Sequence, residues 1–144
     1  MNRIKLILPG QFSFSATLTI RITDLNYGGH VGNDTFLSLI HEARQQFLRS
    51  HGYEELSIAG TGLIMADVAI EFKRELNYAD TVRISVAAAN FDRLGFDLYY
   101  LIEQVNDGET ILAGRAKTGM MCYDYAQRKK VSLPEEVVRK LSEV

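Results

Sequence analysis

Between Asp34 and His51 the chain keeps a helical period, and the four later runs that alternate at period two have no second helix among them. Phe36, Ile40, Ala43 and Phe47 follow one another at intervals of four, three and four, so they share one helix face. Leu37, Leu39 and Leu48 widen that stripe, while Ser38, Gln45 and Arg49 fall opposite. Asn33 or Asp34 supplies an N-cap and Gly52 a C-cap, giving a helix about 27 Å long at 1.5 Å per residue. Parallel strands need a long crossover connection, and none is present downstream, so the strands pair as antiparallel hairpins. A helix of this length can bury its stripe only against the apolar face of that sheet. The fold class is therefore α+β.

The strands can be placed from their alternation. Leu18, Ile20 and Ile22 alternate with threonines and Arg21 between Ala16 and Thr23, a half-buried first strand. After a turn region at 53–62, similar runs cover 64–72, 82–88, 96–103 and 111–123, giving five strands in all. Asn106-Asp107-Gly108 is a hairpin signal, and Pro134 opens a short helix through Leu141 as its first-turn proline. Residues 1–15 hold no period and read as an irregular arm or short edge element. Thr17, Thr19, Arg21, Glu71, Lys73, Arg83 and Lys117 give the sheet a wet outer face, which disfavours tetramers built through that face.

With 144 residues the chain is long enough for one domain, 1–144, without metals or disulfides. No run approaches the roughly 20 apolar residues of a membrane span, and Met1 to Pro9 is too short for a secretory core. The lone Cys122 excludes an internal disulfide framework and suits a reducing compartment, so a cytoplasmic protein without membrane association is expected. A net charge of −2 offers no general attraction for nucleic acid, and Arg128-Lys129-Lys130 reads as a solvated turn. Gly28-Gly29 lacks the third glycine of a dinucleotide fingerprint. His30, His41 and His51 fit no ligand set, so neither a metal nor a bound cofactor is expected.

The polar chemistry concentrates between Asp24 and Asn33, where strand gives way to helix and unpaired N–H groups meet a flexible Gly-Gly pair. Asp24 can act as a general base or close the turn; Asn26 can orient water, donate to a carbonyl oxygen or form a turn. His30 can serve as acid, base or donor, or be satisfied by nearby backbone. Asn33 offers a backbone N–H, a side-chain cap, or both. Glu42 reads as a solvated residue paired with Gln46 or Arg49, or as one turned towards a partner subunit. Cys122 reads as a small buried apolar residue rather than a nucleophile.

Gly29-His30-Val31-Gly32-Asn33 followed by Glu42-Ala43-Arg44 resembles the hot-dog fold thioesterases of the 4-hydroxybenzoyl-CoA thioesterase type. Phe72 to Asp80, Leu112-Ala113-Gly114-Arg115 and Leu133-Pro134-Glu135-Glu136-Val137 are similar in order and spacing, so the likeness runs from Ala16 to Leu141. It implies a five-stranded antiparallel sheet wrapped around one central helix. It also implies a homodimer with sheets joined edge to edge and acyl-CoA sites at the interface, while a tetramer through the helix side is not disfavoured. In that family an aspartate four residues before the His30 position is nucleophile or base, and a backbone N–H seven residues beyond the aspartate polarises the thioester. These roles fall on Asn26 and Asn33. An amide at position 26 can neither attack a carbonyl nor take a proton, which leaves Asp24 as the nearest carboxylate in sequence. Slow hydrolysis of a fatty or aryl acyl-CoA thioester is expected, with Asn26→Asp raising the rate. A hot-dog enoyl-CoA hydratase, suggested by Asp24-Leu25-Asn26 and His30, and a non-catalytic acyl-binding protein remain as alternatives.

Overall fold

The alternating runs do pair into one antiparallel sheet, and the long helix does lie along its inner face. A computed structural model describes residues 1–143. The elements are β1 (Phe14–Thr19), α1 (Asn33–Ser50), β2 (Gly62–Phe72), β3 (Thr81–Ala89), β4 (Gly95–Asn106), β5 (Glu109–Asp124), β6 (Lys129–Lys130) and α2 (Glu135–Leu141). The order across the sheet is β1-β3-β4-β5-β2, with β6 paired to β5. The five expected strands are thus joined by a sixth of two residues, in the basic turn.

Phe36, Leu39, Ile40, Ala43, Phe47 and Leu48 are buried along α1. They face the inward positions of the sheet, among them Val82, Ile84 and Val86 on β3, and Leu98, Tyr100 and Ile102 on β4. Burying each large apolar side chain contributes about 1.5 to 3 kcal/mol, so this interface is the main source of stability. Leu37 is 38 % exposed and lies off the stripe, at the seam between α1 and the edge strand β2. Arg44, in contrast, is only 6 % exposed.

Several boundaries differ from the sequence expectation for local reasons. The first strand ends at Thr19 instead of Thr23, because Ile22–Asp24 forms a 3-10 turn closed by the Asp24 carboxylate, leaving Ile22 68 % exposed. Gly32, not Asn33 or Asp34, is the N-cap of α1: its carbonyl accepts from the Thr35 and Phe36 N–H groups, and Asn33 is the first helical residue. Pro134 is the N-cap of α2 and stands one position outside it. Asp107 and Gly108, both at positive φ, close β4 to β5 as a two-residue hairpin with Asn106 opposite Glu109.

Glu71 is not wet. It is 9 % exposed, and its carboxylate accepts the Leu6 N–H at 2.8 Å. The residues facing it across the outer surface, Arg115, Leu101 and Ser85, are in register with it, and Ser85 is buried too. The N-terminal arm is therefore tied to the outer face at Glu71, which polarity alone marks as solvent-facing.

A bulge in β5 positions the next loop. Gly114 pairs with Ile102 and Leu112 with Glu103, so Ala113 has no partner in β4. Its carbonyl instead accepts the N–H groups of Lys73 and Arg74, at 2.8 and 3.1 Å. The Val31 N–H bonds the Leu76 carbonyl at 2.9 Å, so the loop after β2 is held on both sides against the start of α1.

Candidate active site

The connection from the 3-10 turn to α1 folds back on itself. Leu25 and Val31 form an isolated bridge, and the Asn26 N–H bonds the His30 carbonyl at 2.9 Å. The Asn26 Oδ1 accepts the Gly28 N–H at 2.8 Å, the short-range bond that asparagine favours in turns. With the amide oxygen so engaged, Nδ2 is left as a donor, 3.6 Å from where a Cβ on Gly32 would stand. A Cβ on Gly28 would lie 3.2 Å from Asn26 Oδ1 and 3.3 Å from His30 Cε1, so glycine lets the two side chains converge there.

At the start of α1 the N–H groups of Asn33 and Asp34 have no acceptor among the described residues, as expected for a first helical turn. Together with the helix dipole they favour developing negative charge at this point. A cavity of about 280 Å³ opens there, lined by His30, Val31, Asn33, Phe36, Phe72 and the loop residues Lys73 to Glu75. Phe36 and Phe72 pack edge to face, centroids 5.2 Å apart, and form its apolar wall. His30 Nε2 lies 3.9 Å from Glu75 Oε1, a loose pair in which the glutamate side chain is 72 % exposed.

Of the four residues expected at the site, the structure gathers three. His30 and Asn33 line the cavity, and exposed Asn26 sits against Gly28 and Gly32 beside them. Asp24 lies elsewhere: it lines a separate cavity with Leu18, Thr19, Arg21, Ser38, Leu39 and Glu42. Its Oδ2 accepts the Arg21 N–H at 2.8 Å and Oδ1 stands 3.5 Å from the Arg21 guanidinium, so the carboxylate closes the turn. Glu75 was not singled out in the sequence. It is 45 residues from His30, and the Val31 to Leu76 bond holds the two segments together. Glu42 accepts from Gln46 at 2.7 Å, one of its two expected helix partners. Cys122 is fully buried and burial pushes its thiol pKa up, the opposite of an activated nucleophile. Among the described residues no three His, Cys, Asp or Glu side chains converge to hold a metal, and no helix is long and apolar enough to cross a membrane.

The profile of the Thioesterase-like superfamily matches residues 20–141. The chain belongs to that superfamily. A 1,4-dihydroxy-2-naphthoyl-CoA hydrolase of Nostoc punctiforme is 24 % identical over 130 residues, covering 88 % of this chain and 85 % of the relative. One of the same description from Acaryochloris marina is 27 % identical, covering 85 % and 90 %. The solved 1,4-dihydroxy-2-naphthoyl-CoA thioesterase of Synechocystis superposes with a TM-score of 0.79 at 22 % identity, over 91 % of this chain and 96 % of that one. A 4-hydroxybenzoyl-CoA thioesterase variant solved with 4-hydroxybenzoyl-CoA gives 0.81 at 16 % identity, over 90 % and 98 %. The architecture of this superfamily member is thus the hot-dog fold, an antiparallel sheet wrapped around α1.

Proposed function

We propose that the protein hydrolyses the thioester of an aromatic acyl-CoA at the cavity where α1 begins. The observation that carries this reading is the free Asn33 N–H, which opens on a cavity shared with a histidine and a carboxylate. The Asn33 N–H polarises the thioester carbonyl, and the Asn26 Nδ2 adds a second donor beside it. His30, oriented by Glu75, takes a proton from water as the water oxygen bonds the carbonyl carbon. Collapse of the tetrahedral adduct breaks the carbon–sulfur bond, and the imidazolium returns its proton to the CoA thiolate. Lys73 and Arg74, on the cavity wall, offer positive charge to the CoA phosphates. CoA is thus part of the substrate, and the reaction uses no other cofactor. The aromatic preference rests on the names of the relatives and on the Phe36–Phe72 wall.

Asp24, bound into its own turn, supports the turn-closing role, which weighs against the hydratase reading. A non-catalytic acyl-binding role is favoured by one observation, the amide at position 26. The test is incubation with saturated, aromatic and enoyl-CoA panels, reading free thiol and loss of the enoyl chromophore. Thiol release from aromatic thioesters is expected; loss of the enoyl signal without thiol release refutes hydrolysis.

The same reading includes a homodimer joined through β2. That edge strand leaves Met65, Val68 and Phe72 between 41 % and 49 % exposed, and its outer backbone groups have no strand partner among the described residues. A monomer at micromolar concentration in sedimentation refutes it. A cytoplasmic location accords with the single reduced cysteine.

A further inference from the structure

The arm that precedes β1 runs from one edge of the sheet to the other. Ser15, Ser85, Leu101, Arg115 and Glu71 stand in one register row, with β1 at one end and β2 at the other. The Leu6 N–H reaches the Glu71 carboxylate at 2.8 Å, so residues 6–15 connect the two ends of that row. Four strand spacings make about 19 Å, well within the roughly 30 Å that nine residues can cover. Leu6, Leu8, Pro9 and Phe12 are half-buried on the way. Residues 1–5 are all exposed, Ile4 by 54 % and Met1 completely, so the chain leaves the sheet as it passes β2. Arg3 and Lys5 pair with no carboxylate among the described residues. The arm also precedes residues 20–141, the part that the superfamily profile matches.

A second copy joined through β2 puts a surface in the path of these five residues. A continuous sheet generated by a two-fold axis pairs the two β2 strands antiparallel and keeps both outer faces on one side. The Phe72 end of one strand then lies beside the Gly62 end of the other. At that end Met121 and Tyr123 alternate with buried Met120 and Cys122, so they share the outer face with Arg115, and Ile64 is paired with Met121. Tyr125 packs edge to face on Tyr123, centroids 5.1 Å apart, and is 51 % exposed. Lys117 is shared by Asp67 and Asp97, at 2.8 and 3.3 Å, which leaves one negative charge in surplus on the same face. The cations Lys129 and Lys130 stand beyond Tyr123 and Asp124, on the side away from β2. An apolar and aromatic floor with surplus negative charge suits a segment that carries Ile4 between Arg3 and Lys5.

We infer that residues 1–5 of each protomer cross the dimer junction and clasp the outer sheet face of a second copy, at the partner's Ile64, Met121, Tyr123 and Tyr125. The clasp rests on the proposed homodimer through β2. Five extended residues reach about 17 Å beyond Leu6, more than three strand spacings. Ile4 and Arg3 thereby come over the partner's β2 and β5, and the apolar side chains left open in one chain are covered in the pair.

The experiment places the photo-crosslinker p-benzoylphenylalanine at position 4 of the full chain. The protein is irradiated at a concentration where sedimentation reads the dimer, and the products are mapped. A two-chain product joined at the partner's Ile64, Met121, Tyr123 or Tyr125 is expected. A sedimenting dimer that gives only within-chain products, or two-chain products mapped elsewhere, overturns the clasp alone. A monomer in sedimentation removes the homodimer and the clasp with it. Arg3→Glu combined with Lys5→Glu reverses four charges across the two clasps, so the dimer Kd is expected to rise at least about tenfold in low salt and by less in high salt. A Kd within about twofold of wild type in low salt overturns the inference.

Discussion

Substituting Asn26 separates two accounts of the site. Sequence comparison with the 4-hydroxybenzoyl-CoA type places a missing carboxylate there, so Asn26→Asp is expected from that alone to raise turnover. The structure points the other way. The Asn26 oxygen is held by the Gly28 N–H, so Nδ2 is the group aimed at the start of α1. Asn26→Ala removes that donor, and losing one oxyanion donor lowers kcat by about 10² to 10³-fold. Since Asn26 is exposed and water can partly replace it, about 10²-fold or somewhat less is expected. Asn26→Asp substitutes an acceptor for the donor. It also faces Asp34, whose Oδ1 lies 2.7 Å from the Cβ position of Gly32 that Nδ2 approaches to 3.6 Å. Those two distances put the charges at most about 6 Å apart, where two unit charges repel by at least roughly 1 to 3 kcal/mol at the effective dielectric of a surface cleft. Turnover of Asn26→Asp at pH 8, where the new carboxylate is charged, is therefore expected below that of Asn26→Ala. The assay is thioester hydrolysis of one naphthoyl-CoA from pH 5 to 8, with circular dichroism to confirm folding. Aspartate outperforming asparagine at neutral pH refutes the donor role and restores the carboxylate account.

His30→Ala is expected to lose about 10²-fold or more in kcat as the general base is removed, whereas Glu75→Gln loses only a few-fold because the contact is long and exposed; the reverse order in steady-state kinetics refutes the assignment. Asp24→Asn is expected to lower stability by about 1 kcal/mol through its turn, with hydrolysis within about twofold of wild type, read by thermal melting and the same assay. Gly95→Ala brings a Cβ to 1.9 Å from the Met120 carbonyl oxygen, so a loss of about 3 kcal/mol or more is expected in urea titration. The Leu6 N–H, helped by Lys73 and Arg115, holds the Glu71 carboxyl below its ordinary value of 4.5. A depressed folded pKa gives stabilisation that is present above pH 4.5 and lost as pH falls through the lower folded value. Exchange protection of the Leu6 amide is expected to fall in acid, and in Glu71→Gln at neutral pH; unchanged protection in both refutes the tether.

The sequence by itself determined the architecture, because burial at period 3.6 and at period two is a property of neighbours along the chain. The stripe of α1 and the alternation of β3 and β4 needed no tertiary information, and the lack of a crossover helix left only antiparallel pairing. The Gly-rich connection before α1 was equally legible, since helix starts leave N–H groups free wherever they occur. What only the tertiary structure decided were contacts between distant segments. Asp24 is a carboxylate six residues from His30 along the chain, and Glu75 is one 45 residues away. Arg21 ties the first into its own turn, while the β5 bulge and the Val31 to Leu76 bond bring the second beside His30. Glu71 alternates as a solvent-facing residue, yet an arm without periodicity covers it. Arg44 belongs to a quoted helix motif, but its burial and its bonds depend on Glu55 and Tyr100. Periodicity records which face of an element is buried; the identity of what lies against it is set by chain crossings that no local pattern encodes.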